Sequence, residues 1–112
     1  MPSTPVEASQ KPQTGTAAAG YFGGRTDAAR AIGEAYVRHL GLDTNAESIR
    51  KVSPGALKII ARAPSQQDAI SALALAVRRD FQEGRSVQLE GWIVSRTEAE
   101  LCALTLFPAT NY

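Results

Sequence analysis

Apolar residues recur at helical spacing through most of the chain and switch to strand spacing only near its end. From Thr26-Asp27 to Leu40, the residues Ala29, Ile32, Tyr36 and Leu40 share one face, while Arg30, Glu34 and Arg38 turn to water. Gly41 suits the left-handed residue that closes such a helix, with Leu42 folding back on the last turn. Thr44-Asn45-Ala46-Glu47 reads as a capping box, with Thr44 and Glu47 satisfying each other's free amides. The short helix it opens carries Ile49 and Val52 and stops at Ser53-Pro54. There Ser53 caps, and Pro54 occupies the first position of a third helix running to about Arg62, with Leu57 and Ile60 inward. Pro64 interrupts the chain again. Ser65-Gln66-Gln67-Asp68 then starts the most regular helix, whose apolar stripe is Ile70, Leu73, Ala74, Val77 and Phe81 and whose end is Gly84.

Beyond Gly84 the period shortens. Apolar residues alternate in Ser86-Val87-Gln88-Leu89-Glu90, and Glu90-Gly91 turns the chain into Trp92-Ile93-Val94, a two-stranded hairpin. A hairpin of that size needs helices to lie against. Ser95-Arg96-Thr97-Glu98 is another capping box and opens a last helix through Leu101, Cys102 and Leu104 that Pro108 stops. The fold class is therefore mainly α: four to five short helices, with a small hairpin before the C-terminal one. Residues 1–22 alternate Pro with Ser, Thr, Gln and Gly without periodicity, which reads as a disordered N-terminal tail. The domain spans 23–108, and 109–112 form a C-terminal tail. Tyr21 and Phe22, beside the domain, read either as a tether packing lightly on it or as a short docking segment.

Bulk properties narrow the function classes. The 112 residues make one ordinary domain, with 44% hydrophobic residues to form its core. Twelve basic residues stand against 11 acidic ones, which argues against a broad electrostatic grip on nucleic acid or anionic lipid. No stretch approaches the roughly 18 consecutive apolar residues of a membrane-spanning helix, so no membrane insertion is expected. No apolar segment follows a basic start, so no signal peptide is read. The protein is then cytoplasmic as written, or periplasmic if this is a mature form that has lost its export signal. The single cysteine excludes an internal disulfide, and the single histidine excludes a multi-histidine metal site. No glycine loop for phosphate is present, and no cofactor is implied.

Candidate chemistry concentrates in Gly91 to Glu98, which holds the only tryptophan, with Cys102 one turn past Glu98. A small enzyme would use Ser95 or Cys102 as nucleophile and Glu98 as base. It lacks the third member, because His39 belongs to a distant helix end, where it suits the helix dipole. Cys102 reads as a small core residue. The carboxylates Glu34, Asp43, Glu47, Asp68, Asp80, Glu83, Glu90, Glu98 and Glu100 are scattered at positions read as solvent-facing. No catalytic residue is assigned, and the chain is not expected to be an enzyme on its own. Trp92 is either a core residue or a half-exposed interface anchor. With Arg85 and Arg96 close in sequence, and Tyr21 and Phe22 at the tail, it forms the candidate partner-binding set, since aromatic and arginine residues dominate binding hot spots.

Two resemblances add to this. Val87 to Leu104 resembles the strand pair and Thr-x-x-Glu turn of a winged-helix DNA-binding domain of response-regulator type, which would imply a DNA-binding regulator. More specifically, Arg79-Asp80-Phe81, Gly84 and the run Val87-Gln88-Leu89-Glu90-Gly91-Trp92-Ile93-Val94-Ser95-Arg96-Thr97-Glu98-Ala99-Glu100-Leu101-Cys102-Ala103-Leu104 resemble the C-terminal signature of small, poorly characterised bacterial proteins. Many of these begin with a twin-arginine export signal. That resemblance covers about the last 30 residues. It implies a small accessory protein of the bacterial envelope serving an exported oxidoreductase. The expected function is thus that of an accessory subunit or adaptor acting by protein–protein recognition.

Overall fold

The computed structural model describes residues 12–107. Within them the order is α1 (Thr14–Tyr21), α2 (Asp27–His39), α3 (Ala46–Val52), α4 (Pro54–Arg62), α5 (Gln66–Gln82), β1 (Ser86–Leu89), β2 (Trp92–Ser95) and α6 (Arg96–Leu104). The mainly helical fold with a hairpin before its last helix is the one expected, with six helices among the described residues rather than four to five. Its organising element is α6, which packs against every other helix and both strands. All six residues from Ala99 to Leu104 are buried, as befits a helix enclosed on all sides.

Helix α2 lies closest to α6 because of Gly33. A methyl group built there would stand 2.3 Å from the Cys102 carbonyl oxygen, so only glycine lets the two backbones meet. The helix ends in a Schellman turn, in which the Leu42 amide reaches Val37 O, Gly41 reaches Arg38 O, and Gly41 has φ +78°. Leu40, expected on the core face, sits instead at the cap and is 47% exposed, while Leu42 packs on the core. At α3 the cap is Asn45 rather than Thr44. Its side chain takes the Ser48 amide at 2.9 Å, so the anticipated Thr44–Glu47 box does not form.

The hairpin is antiparallel, pairing Ser86 with Ser95 and Leu89 with Trp92. Glu90 (φ 48°) and Gly91 (φ 91°) are both left-handed, the type I′ geometry that matches strand twist. In α5 the buried face is Ala69, Leu73 and Asp80, rotated from the expected stripe. Ile70 and Val77 are half-buried, and Ala74 and Phe81 are exposed.

The reading of 1–22 as a disordered tail is corrected at its C-terminal end. Residues 14–21 form α1, with Ala17 and Ala18 fully buried among α4, α5 and α6. Three consecutive alanines favour a helix and are small enough to let it approach closely, but they offer no polar–apolar contrast for a periodicity to register. Gly20 lies over Gln66 and Ile70. The packed unit therefore begins before residue 23. Residues 1–11, and Pro108 with the expected 109–112 tail, lie outside the described residues.

Candidate interaction surface

The hairpin meets α6 at a junction where each exposed backbone donor of the helix start already has an acceptor. The Arg96 amide donates to Arg85 O at 3.0 Å, Thr97 to Asp80 Oδ2 at 2.7 Å, and Glu98 to Ser95 Oγ at 2.9 Å. Glu98 Oε1 accepts from the Ser95 amide in return, which completes the capping box. Ser95 is fully buried and its oxygen is committed to the cap. The helix N-terminus is thus closed by the protein's own groups.

Asp80 is the residue that binds the two ends together. Besides Thr97 it accepts from Arg85 Nε at 3.0 Å, and its main-chain oxygen takes the Arg85 amide at 2.8 Å. Burial alone would raise its pKa, but the Thr97 amide and the Arg85 guanidinium outweigh that and hold the carboxyl below its ordinary range. Arg85 also pairs with Glu83. Asp80 was expected at a solvent-facing position and is buried, as is Glu100.

Glu100 is only 3% exposed. Its Oε1 accepts from the Ala56 amide at 2.8 Å, so a side chain of α6 caps α4. Ser53, expected to make that cap, instead turns its hydroxyl to the Glu100 carbonyl at 3.4 Å. Burial raises the Glu100 pKa, and the Ala56 amide and Arg96, whose Nε lies 3.8 Å away, oppose the rise. Glu100 forms one wall of an open cleft of about 440 Å³ between α2, the α3–α4 junction and α6, with Tyr36, Lys51 and Arg96 among the other lining residues.

Trp92 and Ile93 divide the hairpin's two faces between them. Cross-strand partners share a face, so Val87, Leu89, Trp92 and Val94 point one way and Ser86, Gln88 and Ile93 the other. Leu89 and Val94 are buried, whereas Trp92 at the turn end of that face is 50% exposed and Ile93 on the opposite face 67% exposed. Trp92 is therefore neither sealed in the core nor free of it.

The remaining candidates fall elsewhere. Tyr21 and Phe22 stack edge to face at 5.1 Å and pack half-buried on the core, so they belong to the packed unit. Tyr21 lies near Glu98 and Cys102, and burial, followed by the charge of Glu98, raises its pKa. Cys102 is buried, and burial followed by the charge of Glu98 pushes its pKa up to about 12, which keeps the thiol protonated. His39 occupies the last turn of α2, exposed. Thus Trp92, Arg85 and Arg96 share the hairpin–α6 junction, while Tyr21 and Phe22 sit on α1 and the turn that follows it.

No protein-family model, curated protein or solved structure matches the chain. Among the described residues no helix is long and apolar enough to cross a membrane.

Proposed function

We propose that this chain is a small accessory subunit or adaptor that acts by protein–protein recognition, with the turn end of the hairpin as its contact. The observation that carries the reading is the joint exposure of Trp92 and Ile93 on a ribbon whose base is fixed by Asp80 and by the Ser95–Glu98 box. Two large apolar side chains, one on each face of a positioned support, present contact area with little backbone ordering left to be done on binding. Arg96 lies close along the chain and is exposed, whereas Arg85 is held by two carboxylates. The resemblance of the last 30 or so residues to small, poorly characterised bacterial proteins, many of which begin with a twin-arginine export signal, supports an exported oxidoreductase as the partner class.

A photo-crosslinking residue in place of Ile93 names the partner, and titration of the purified partner tests the contact. Ile93→Ser is expected to leave stability within about 1 kcal/mol of wild type and to weaken binding roughly tenfold or more. Trp92→Ala should cost about 1–3 kcal/mol of stability, since half the ring is buried, and about 2 kcal/mol of affinity. Wild-type affinity in both variants would falsify the reading.

A further inference from the structure

The cleft beside Glu100 has a floor and a rim of different chemistry. Tyr36 is only 7% exposed, yet no described residue hydrogen-bonds to its hydroxyl. No sealed side-chain oxygen among the described residues lacks a partner. The phenol oxygen therefore keeps some exposure, and Tyr36 lines the cleft. Burial, with the charge of Glu100 adding to it, raises the pKa of this phenol, so it remains a proton donor at neutral pH.

At the rim stand Lys51 and Arg96. No described carboxylate lies within ion-pairing distance of Lys51, and Arg96 reaches only the edge of Glu100 at 3.8 Å. Glu100 itself is occupied at the start of α4, where it takes the Ala56 amide. Two cations against one carboxylate leave one positive charge uncompensated. The walls between floor and rim are aliphatic, and they include Leu40, an exposed large apolar side chain, and Val52. A volume of about 440 Å³ falls within the roughly 300–1,000 Å³ of small-molecule clefts.

We propose that this cleft binds an aliphatic monocarboxylate. Its carboxylate is held by the Tyr36 hydroxyl, Lys51 and Arg96, and its hydrocarbon lies against Leu40 and Val52. A single negative charge balances the rim, the phenol supplies a directed hydrogen bond, and the hydrocarbon covers a leucine otherwise left in water. This site is separate from the hairpin contact and stands or falls independently of it.

The test is a titration of the full chain with isocaproate, followed by amide NMR shifts and by calorimetry, with isocaproamide and acetate as comparators. Saturable shifts are expected at Tyr36, Leu40, Lys51 and Arg96. The amide should bind at least about tenfold more weakly because it lacks the charge. Acetate should do so as well, because each buried methylene is worth roughly fourfold in affinity. Tyr36→Phe keeps the ring and removes only the unpartnered hydroxyl. Lys51→Met removes one rim charge at an exposed position. Each should retain the wild-type melt and weaken isocaproate about fivefold or more. A short peptide ending in leucine, run beside its C-terminal amide, separates the two sources of this chemistry. Binding of the free-acid peptide at the same residues assigns the site to a partner's chain terminus, and binding of isocaproate alone assigns it to a small molecule. The proposal is overturned if no ligand saturates by roughly 10 mM, if amide and acid bind alike, or if Tyr36→Phe and Lys51→Met both bind as wild type.

Discussion

Replacing Asp80 by alanine removes the carboxylate that joins the end of α5 to the start of α6. Two bonds are lost: the Thr97 amide at 2.7 Å and Arg85 Nε at 3.0 Å. The first is a part-buried, charge-assisted bond to an amide that has no helical partner, worth about 1.5–3 kcal/mol. The second involves a partly exposed guanidinium that keeps Glu83, so its loss adds at most about 1 kcal/mol. Asp80→Ala should therefore cost about 2–4 kcal/mol out of the roughly 5–15 kcal/mol that holds a domain together. Asp80→Asn preserves the shape and one acceptor oxygen, and should cost about half as much. Urea unfolding followed by far-UV circular dichroism measures both.

The pH dependence separates the charge from the shape. Because the folded-state pKa of Asp80 lies below its ordinary value of 3.8, its contribution is fully present above that value and is lost as pH falls through the folded one. The gap in stability between wild type and Asp80→Asn should therefore be constant near neutrality and close below about pH 4. An Asp80→Ala cost under about 1 kcal/mol, or a gap that stays flat into acid, would refute the account of the junction.

Two further outcomes follow from the packing around α6. Glu100 carries the opposite sign: burial raises its folded pKa above 4.5, so the stability it contributes is present below that value and is lost as pH rises through the folded one. Glu100→Gln keeps an acceptor for the Ala56 amide without the buried charge. It should match or exceed wild type at neutral pH and flatten the decline above about pH 5, and a loss above about 2 kcal/mol in urea unfolding would contradict this. Gly33→Ala sets a methyl group 2.3 Å from Cys102 O and 2.5 Å from its carbonyl carbon. Backbone must move against backbone, so a loss of about 2–3 kcal/mol or more is expected, and a wild-type thermal melt would show that the helices part freely.

What the chain discloses about itself depends on how far apart the cooperating residues lie. The Ser95–Glu98 box, the Glu90-Gly91 turn and the helix ends at Gly41 and Gly84 are written within four or five neighbouring residues, and each forms where its pattern predicts. The capping of α3 slips by one residue because Thr44 and Asn45 compete for the same role, and the asparagine takes it. Helix α1 escapes because Ala17 and Ala18 are buried for their smallness, a property with no period. Asp80 and Glu100 escape for a different reason. Their donors, Thr97 and Ala56, lie 17 and 44 residues away, and without those donors each carboxylate reads as solvated. Gly33 is silent for the same cause, since its demand comes from Cys102.

These long-range ties also bear on the candidate surface. A carboxylate assigned to solvent by its sequence neighbourhood holds the base of the hairpin, and a second one holds α4 against α6. Arg85, grouped with Trp92 by proximity in sequence, is thereby drawn into the scaffold, while Arg96 lines the cleft. Exposure then sorts the remaining residues. Tyr21 and Phe22 are part of the packing, and Trp92 with Ile93 projects from it. The polar residues of the junction thus fix where the apolar ones stand, and it is the position of Trp92 and Ile93 on a held ribbon, rather than their hydrophobicity alone, on which the proposed recognition role rests.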